Sequence, residues 1–247
     1  MEAARDMPEH TVRSYEEELR RLKDMIVRMG GLAERQVADA ALALVRRDTE
    51  LASEVVQRDV QLDALEREVD SFCVRLLALR QPMAVDLRLI VAAMKISHDL
   101  ERIGDYARNA AKRSIVLAEL PQLGSLNGFN RMARLVQENL KGAIDALVHD
   151  DADRADEIWA ADEPVDDIYN GIFRELLTFM MEDARNITAA THLLFVAKNL
   201  ERIGDHATNI AETVHFAVSG EVLEEERPKA DNSAFAIVRP PEQGASG

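Results

Sequence analysis

Apolar residues recur at alternating spacings of three and four through six stretches of the chain, the period of amphipathic helices. The first stretch runs from about Ser14 to Arg47 on Leu19, Leu22, Ile26, Met29, Ala33, Ala40 and Leu44. Gly30-Gly31 interrupts it and predicts a kink or close packing rather than an end. Asp48-Thr49 reads as a turn and cap, followed by a second helix on Leu51, Val55, Leu62, Leu65, Val69, Phe72, Leu76 and Leu79. Pro82 ends that helix, a third covers Val85 to Ala118, and Pro121 to Asn127 forms a break. The fourth lies near Phe129–Val148. Asp150-Asp151 caps a fifth on Ile158, Val165, Tyr169, Ile172, Leu176 and Phe179, and the sixth runs from Ile187 to Val218. Past Gly220 the composition turns to Glu, Pro, Gly and Ser, which reads as a disordered tail over 220–247.

The six stretches form two sets of three. The seam Leu89, Ala93, Ile96, Leu100, Ile103, Ala107 and Ala110 recurs as Ala189, Leu193, Val196, Leu200, Ile203, Ala207 and Ile210, one hundred residues on. Upstream the register drifts, so that Leu76-Leu77 matches Leu176-Leu177 while Asp63 matches Asp166. That period is too long for a solenoid repeat. The pattern predicts an all-α protein of two tandem pseudo-symmetric three-helix bundles over 14–120 and 128–219, behind an N-terminal extension over 1–13.

Composition supports that picture and narrows the chemistry. A 47% hydrophobic content fills a core, and long stretches free of Pro and Gly favour helices over sheets. The net charge is −15, with 45 acidic residues against 30 Lys and Arg, which disfavours binding to nucleic acid or anionic lipid and suits cations or basic protein surfaces. Cys73, the single cysteine, sits in an apolar stripe as a small core residue. The Met1–Pro8 start has no apolar leader segment and no run of about 18 apolar residues occurs, so the expectation is a cytoplasmic protein that meets a membrane only through partners.

Candidate chemistry lies in a hexapeptide, Leu-Glu-Arg-Ile-Gly-Asp, that occurs at Leu100–Asp105 and again at Leu200–Asp205. Each copy sets two carboxylates four residues apart on one helical face, Glu101 with Asp105 and Glu201 with Asp205. Like charges at that spacing oppose helix formation by roughly 0.2–0.5 kcal/mol. On a helical wheel they fall roughly 120–160° from the centre of the apolar seam. Upstream, that same stripe is apolar (Leu87, Ile90, Met94; Ile187, Ala190, Leu194), the pattern of a helix covered on two sides. One reading is a charged face with local ion pairs, since Arg108 follows Asp105 by three, Lys198 precedes Glu201 by three, and Arg102 and Arg202 follow the glutamates. The other is cation binding: i, i+4 carboxylates chelate an ion or bridge two when neighbouring helices add acids, with Asp63, Glu66, Asp70, Asp166 and Asp167 as contributors. All-oxygen surroundings favour hard cations such as magnesium, calcium, manganese or iron. The repeat of the acids, of Gly104 and Gly204, and of Asn109 and Asn209 favours the second reading. The glycines predict close helix packing first and clearance for a metal or partner second. Catalytic signatures are lacking: Glu212-Thr-Val-His215 is the single Glu-x-x-His where a di-iron bundle needs two, the histidines do not recur between halves, and phosphate loops, nucleophile elbows and zinc spacings do not occur.

With these motifs in order, the chain resembles the PhoU family of phosphate-signalling regulators over about His10 to His215. The resemblance rests on His10-Thr11, Tyr15–Leu19, Met29–Leu32, Asp86–Ile90 and the segments Asp99–Asn109 and Asn199–Asn209. It implies two three-helix bundles without catalytic activity. The family's acidic motif maps onto Glu101 with Asp105 and Glu201 with Asp205, implying metal ions (iron, zinc, manganese or magnesium), with Arg102, Asn109, Arg202 and Asn209 in support. It further implies a cytoplasmic adaptor recruited to the inner membrane face through partners, while the two-faced apolar helices suggest a homodimer. Those implied partners are the ATPase subunit of the high-affinity phosphate transporter and the phosphate-sensing histidine kinase. In that role the protein would restrain phosphate uptake and the starvation response when phosphate is plentiful. A carboxylate metal-storage or redox bundle is the alternative.

Overall fold

A computed structural model describes residues 6–223, and among them the only regular secondary structure is helical. The helices are α1 (Asp6–Arg46), α2 (Thr49–Arg58), α3 (Val60–Arg80), α4 (Val85–Ala118), α5 (Asn127–His149), α6 (Ala152–Trp159), α7 (Glu163–Glu182) and α8 (Ile187–Ser219), with a 3-10 turn at Ala184–Asn186 before α8. The six expected stretches are present, but the second and fifth are each broken in two. The breaks fall at Asp59 and at Ala160–Asp162. In the second case Pro164, at the start of α7, has no N–H to give and its ring would clash with the carbonyl of Ala160 in a continuous helix. Helix α1 begins at Asp6, ahead of the Ser14 start read from periodicity. The expected tail lies beyond the described residues from 224 onward.

Local signals act where the pattern placed them. Asp48 Oδ1 accepts the Leu51 N–H at 2.9 Å and starts α2, and Asp151 Oδ1 accepts the Arg154 N–H at 2.9 Å and starts α6. Helix α1 runs unbroken through Gly30, where a Cβ would lie 2.9 Å from Ile144 of α5, so the glycine serves close packing. Cys73 is buried, and burial pushes its thiol up to about 12.

Helices α1 to α4 form one three-helix bundle, with α2 and α3 together making one leg, and α5 to α8 repeat it. The bundles meet mainly along α4 and α8, the most extensive helix pair, with α1 against α5 beside it. One continuous cluster of buried apolar side chains spans both halves. Intramolecular packing thereby explains the two-sided apolar character of α4 and α8: Ile90 and Ala190 are fully buried. Leu79, expected on the buried seam, is instead 72% exposed at the end of α3.

Candidate functional site

The two carboxylate pairs lie on α4 and α8, and the second helical leg of each half, α2–α3 and α6–α7, bends at a buried aspartate. Asp59 and Asp162 occupy these bends, one hundred and three residues apart, and both are 2% exposed. The same shift relates Asp63 to Asp166, Glu66 to Tyr169, and Gln36 of α1 to Asn139 of α5. The glycine of each hexapeptide sits against this bend. A Cβ on Gly104 would meet Leu62 at 2.4 Å, Gln36 Oε1 at 3.0 Å and Asp59 Oδ1 at 3.3 Å, while one on Gly204 would meet Val165 at 3.3 Å. Close helix packing is therefore the role of both glycines.

In the first half Asp105 is held by arginines. Its Oδ1 lies 2.6 Å from Arg108 Nη2 and its Oδ2 lies 3.0 Å from Arg102 Nη1. The Arg108 guanidinium also pairs with Asp59. Burial pushes the Asp59 carboxyl above its usual range, and Arg108 opposes that rise. Arg102 donates to the Tyr106 hydroxyl at 3.1 Å. Glu101 points elsewhere. Burial, then the like charges of Asp105 and Glu66, push its carboxyl upward, with Arg102 only partly compensating. Its oxygen groups with Glu66 of α3 and His98 of α4, one ligand atom from each lying within 4.8 Å of the others. His98 Nδ1 is 3.2 Å from Glu66 Oε1. Beside Gly104, Gln36 is fully buried with neither amide atom hydrogen-bonded, an expensive state for a polar group.

The second half uses other residues. Glu201 is 6% exposed, and Lys198 Nζ contacts its Oε1 at 2.8 Å. The same ammonium lies 5.0 Å over the Tyr169 ring. Asp162, Asp166 and Asn170 are buried nearby in the chain fold, and Asp205 and Asn209 are half-buried; all have partners. Thr208 stands where the first half has Arg108, and its hydroxyl donates to the Asp205 carbonyl at 2.8 Å. Asn139 donates to the Ala161 carbonyl at 3.3 Å, so the counterpart of Gln36 is satisfied. Within α4, Arg102 lies 5.1 Å over the Tyr106 ring; across the α4–α8 contact, Arg202 lies 5.5 Å over the same ring and His206 Nδ1 is 2.7 Å from Asp99 Oδ1.

The local ion pairs read from spacing, Arg108 with Asp105 and Lys198 with Glu201, are thus both formed. Of the five helper acids, Asp63 and Glu66 lie close enough to Glu101 to raise its carboxyl and Asp166 is buried, whereas Asp70 and Asp167 are exposed. His98, set aside because it does not recur, joins Glu66 and Glu101 and changes an all-oxygen set into a mixed nitrogen and oxygen one. Asp59 and Asp162 were missed; their recurrence at the shift already relating Asp63 to Asp166 was the available signal.

The model of the PhoU domain matches residues 26–114 and again 129–214. The chain is 57% identical over 226 residues to the phosphate-specific transport system accessory protein PhoU homolog of Caulobacter vibrioides, covering 91% of this chain and 98% of that protein. It is 47% identical to the homolog of Rhizobium meliloti, over 90% of this chain and 94% of that one. The crystal structure of PhoU from Pseudomonas aeruginosa superposes with a TM-score of 0.80 at 42% identity, over 84% of this chain and all of the other. That of the phosphate transport system regulatory protein PhoU from Streptococcus pneumoniae gives 0.79 at 28% identity, over 85% and all of it.

Proposed function

The chain belongs to the PhoU family, and from that premise we propose that it is a non-enzymatic accessory protein of phosphate transport. One observation carries the reading: the 57% identity extends over nearly the whole of both chains, to a relative named for that role. The finer proposal is an adaptor between the transporter ATPase and the phosphate-sensing histidine kinase, restraining uptake and the starvation response. No helix of the described residues is long and apolar enough to cross a membrane, so contact with either partner would be made from the aqueous side. Deleting the gene in the source organism should leave phosphate-starvation genes expressed in high phosphate, and the tagged protein should retain the ATPase in a pull-down. Normal repression in the deletion strain would end the regulatory reading.

A metal ion at the first half belongs to the same proposal, supported by the chemistry of the donors. Glu66, His98 and Glu101 offer two carboxylates and an imidazole, a set suited to iron, zinc or manganese more than to magnesium. Burial and the like charges of Asp105 and Glu66 bear on Glu101, and Arg102 offsets them only in part. Asp105 fits less well, because Arg102 and Arg108 take both its oxygens. A bound cation would neutralise Glu66 and Glu101 and tie α3 to α4. Elemental analysis of the purified protein, with Glu101→Gln and Asp105→Asn alongside, tests this: Glu101→Gln should lower metal content and Asp105→Asn should do so less. For the second pair, Glu201 and Asp205, the same assay on Glu201→Gln decides whether that half also takes an ion. Oxidase activity with stoichiometric iron would favour the storage or redox alternative.

A further inference from the structure

We propose that the outer groove between α1 and α3 receives an acidic amphipathic helix from another protein. The groove has a volume of about 540 Å³ along Arg28, Gly31, Leu32 and Arg35 of α1 and Gln61, Ala64, Leu65 and Glu68 of α3. It continues past Glu68 into a second hollow of about 180 Å³ beside Arg21 and Arg75, whose guanidiniums lie 5.0 and 4.8 Å over the Phe72 ring. Each wall thus follows the i, i+3, i+4, i+7 stripe of one helix face. Gly31 has no heavy atom within 4 Å of the place where a Cβ would be, and with Ala64 and Leu65 it leaves a shallow apolar floor.

The rim charge is what selects the occupant. Arg21, Arg28 and Arg35 recur every seven residues and form a rail about 21 Å long at about 1.5 Å per residue, the length of four helical turns. Arg75 adds a fourth positive charge, and Glu68 is the one acid lining either hollow. This stands on a chain of net charge −15. Its own acids use the rail little: Arg21 approaches Glu68 only to 3.7 Å and Arg35 approaches Asp39 only to 3.6 Å. Arg28 has no ion-pair partner among the described residues. The rail is not a by-product of the duplication, since the positions shifted by one hundred and three residues are Gly124, Arg131 and Glu138. A helix with apolar residues on one face and Glu or Asp flanking them matches both floor and rim. A second copy fits poorly, because a two-fold contact through this groove sets arginine rail against arginine rail.

Such docking is independent of whether phosphate transport is the process served. The probe is a synthetic 18-residue helical peptide with Leu on one face and Glu on both flanks, its twin carrying Lys for Glu, each titrated against the full chain by fluorescence anisotropy. The Glu peptide should bind, at least tenfold tighter than the Lys peptide, and raised salt should weaken it. Arg28→Glu with Arg35→Glu should reverse that preference while the thermal melt stays unchanged; Arg28→Ala with Arg35→Ala should abolish it. No binding of the Glu peptide, equal binding of both, or a preference that survives these variants overturns the proposal. So would a dimer that Arg28→Glu with Arg35→Glu dissociates, which assigns the groove to a second copy. Binding seen only after removal of residues 224–247 would overturn it as well, assigning the groove to the chain's own C-terminal segment.

Discussion

The two halves share a backbone plan and a hexapeptide, yet different side chains meet their carboxylate pairs. In the first, Arg102 and Arg108 hold Asp105, and Glu101 is left beside Glu66 and His98. In the second, Lys198 holds Glu201, the counterpart of Glu101, and Thr208 replaces the arginine. The buried amide follows the same division: Asn139 bonds the Ala161 carbonyl and Gln36 bonds nothing. Duplication preserved the geometry that places acids on a sheltered helix face. The chemistry of that face was set by four or five neighbouring side chains that did not stay alike.

The largest expected contrast is at position 108 against 208. Arg108→Ala would leave Asp59, 2% exposed, and Asp105 without their shared cation. Removing one partner from a buried pair costs about 3 kcal/mol or more. Thr208→Ala removes neutral hydrogen bonds, to the Gly204 and Asp205 carbonyls among them, each worth about 1 kcal/mol, and no ion pair. Urea unfolding of the two variants measures the difference, and equal losses would mean that Arg108 is not what stabilises Asp59.

The glycines give the next contrast. Alanine at 104 would place its Cβ 2.4 Å from the buried Leu62, whereas at 204 the nearest atom is 3.3 Å away. Overpacking predicts a loss of about 1–3 kcal/mol for Gly104→Ala. At 204 the helix-propensity gain of up to about 1 kcal/mol offsets the milder contact, leaving little net change. A cost at 204 matching that at 104 would show that Val165 cannot yield.

These contrasts also mark what the amino-acid pattern could carry. Helix faces, the caps at Asp48 and Asp151, the seam on α4 and α8 and the two ion pairs at i±3 were legible because each depends on residues within one or two turns. The breaks at Asp59 and Ala160–Asp162 were not, because apolar spacing continues across both. Nor was the grouping of Glu66 and His98 with Glu101: it depends on the rotation of α3 against α4, and no periodicity within a single helix encodes that. His98 lost standing because it does not recur, a test that presumes the halves share chemistry. They do not.

Titration sharpens the point at Glu101. Its folded carboxyl sits above the usual range, so the folded state takes up protons more readily than the unfolded chain. Its contribution is therefore favourable in acid and is lost as pH rises through the folded value. Glu101→Gln, uncharged throughout, should gain on the wild type without metal as pH rises from the ordinary carboxylate range through the raised folded value. Added metal should favour the wild type and reverse the order. Thermal melts across that range, with and without zinc or manganese, give the sign, and a variant that gained nothing without metal would remove the charge argument for the site.

The smallest contrast should be none. Asp48 and Asp151 cap α2 and α6 through equal 2.9 Å bonds to the residue three positions on, at sites related by the same shift as the two bends. Each aspartate-to-alanine change removes one cap, at about 1 kcal/mol. Because a single apolar cluster spans both halves, each loss should be read by one shared unfolding transition. Asp48→Ala and Asp151→Ala should then shift the denaturation midpoint alike and leave its slope unchanged. A variant that split the transition in two would show that the halves unfold separately. Every contrast drawn between them would then have to be referred to the stability of its own half rather than to the whole chain.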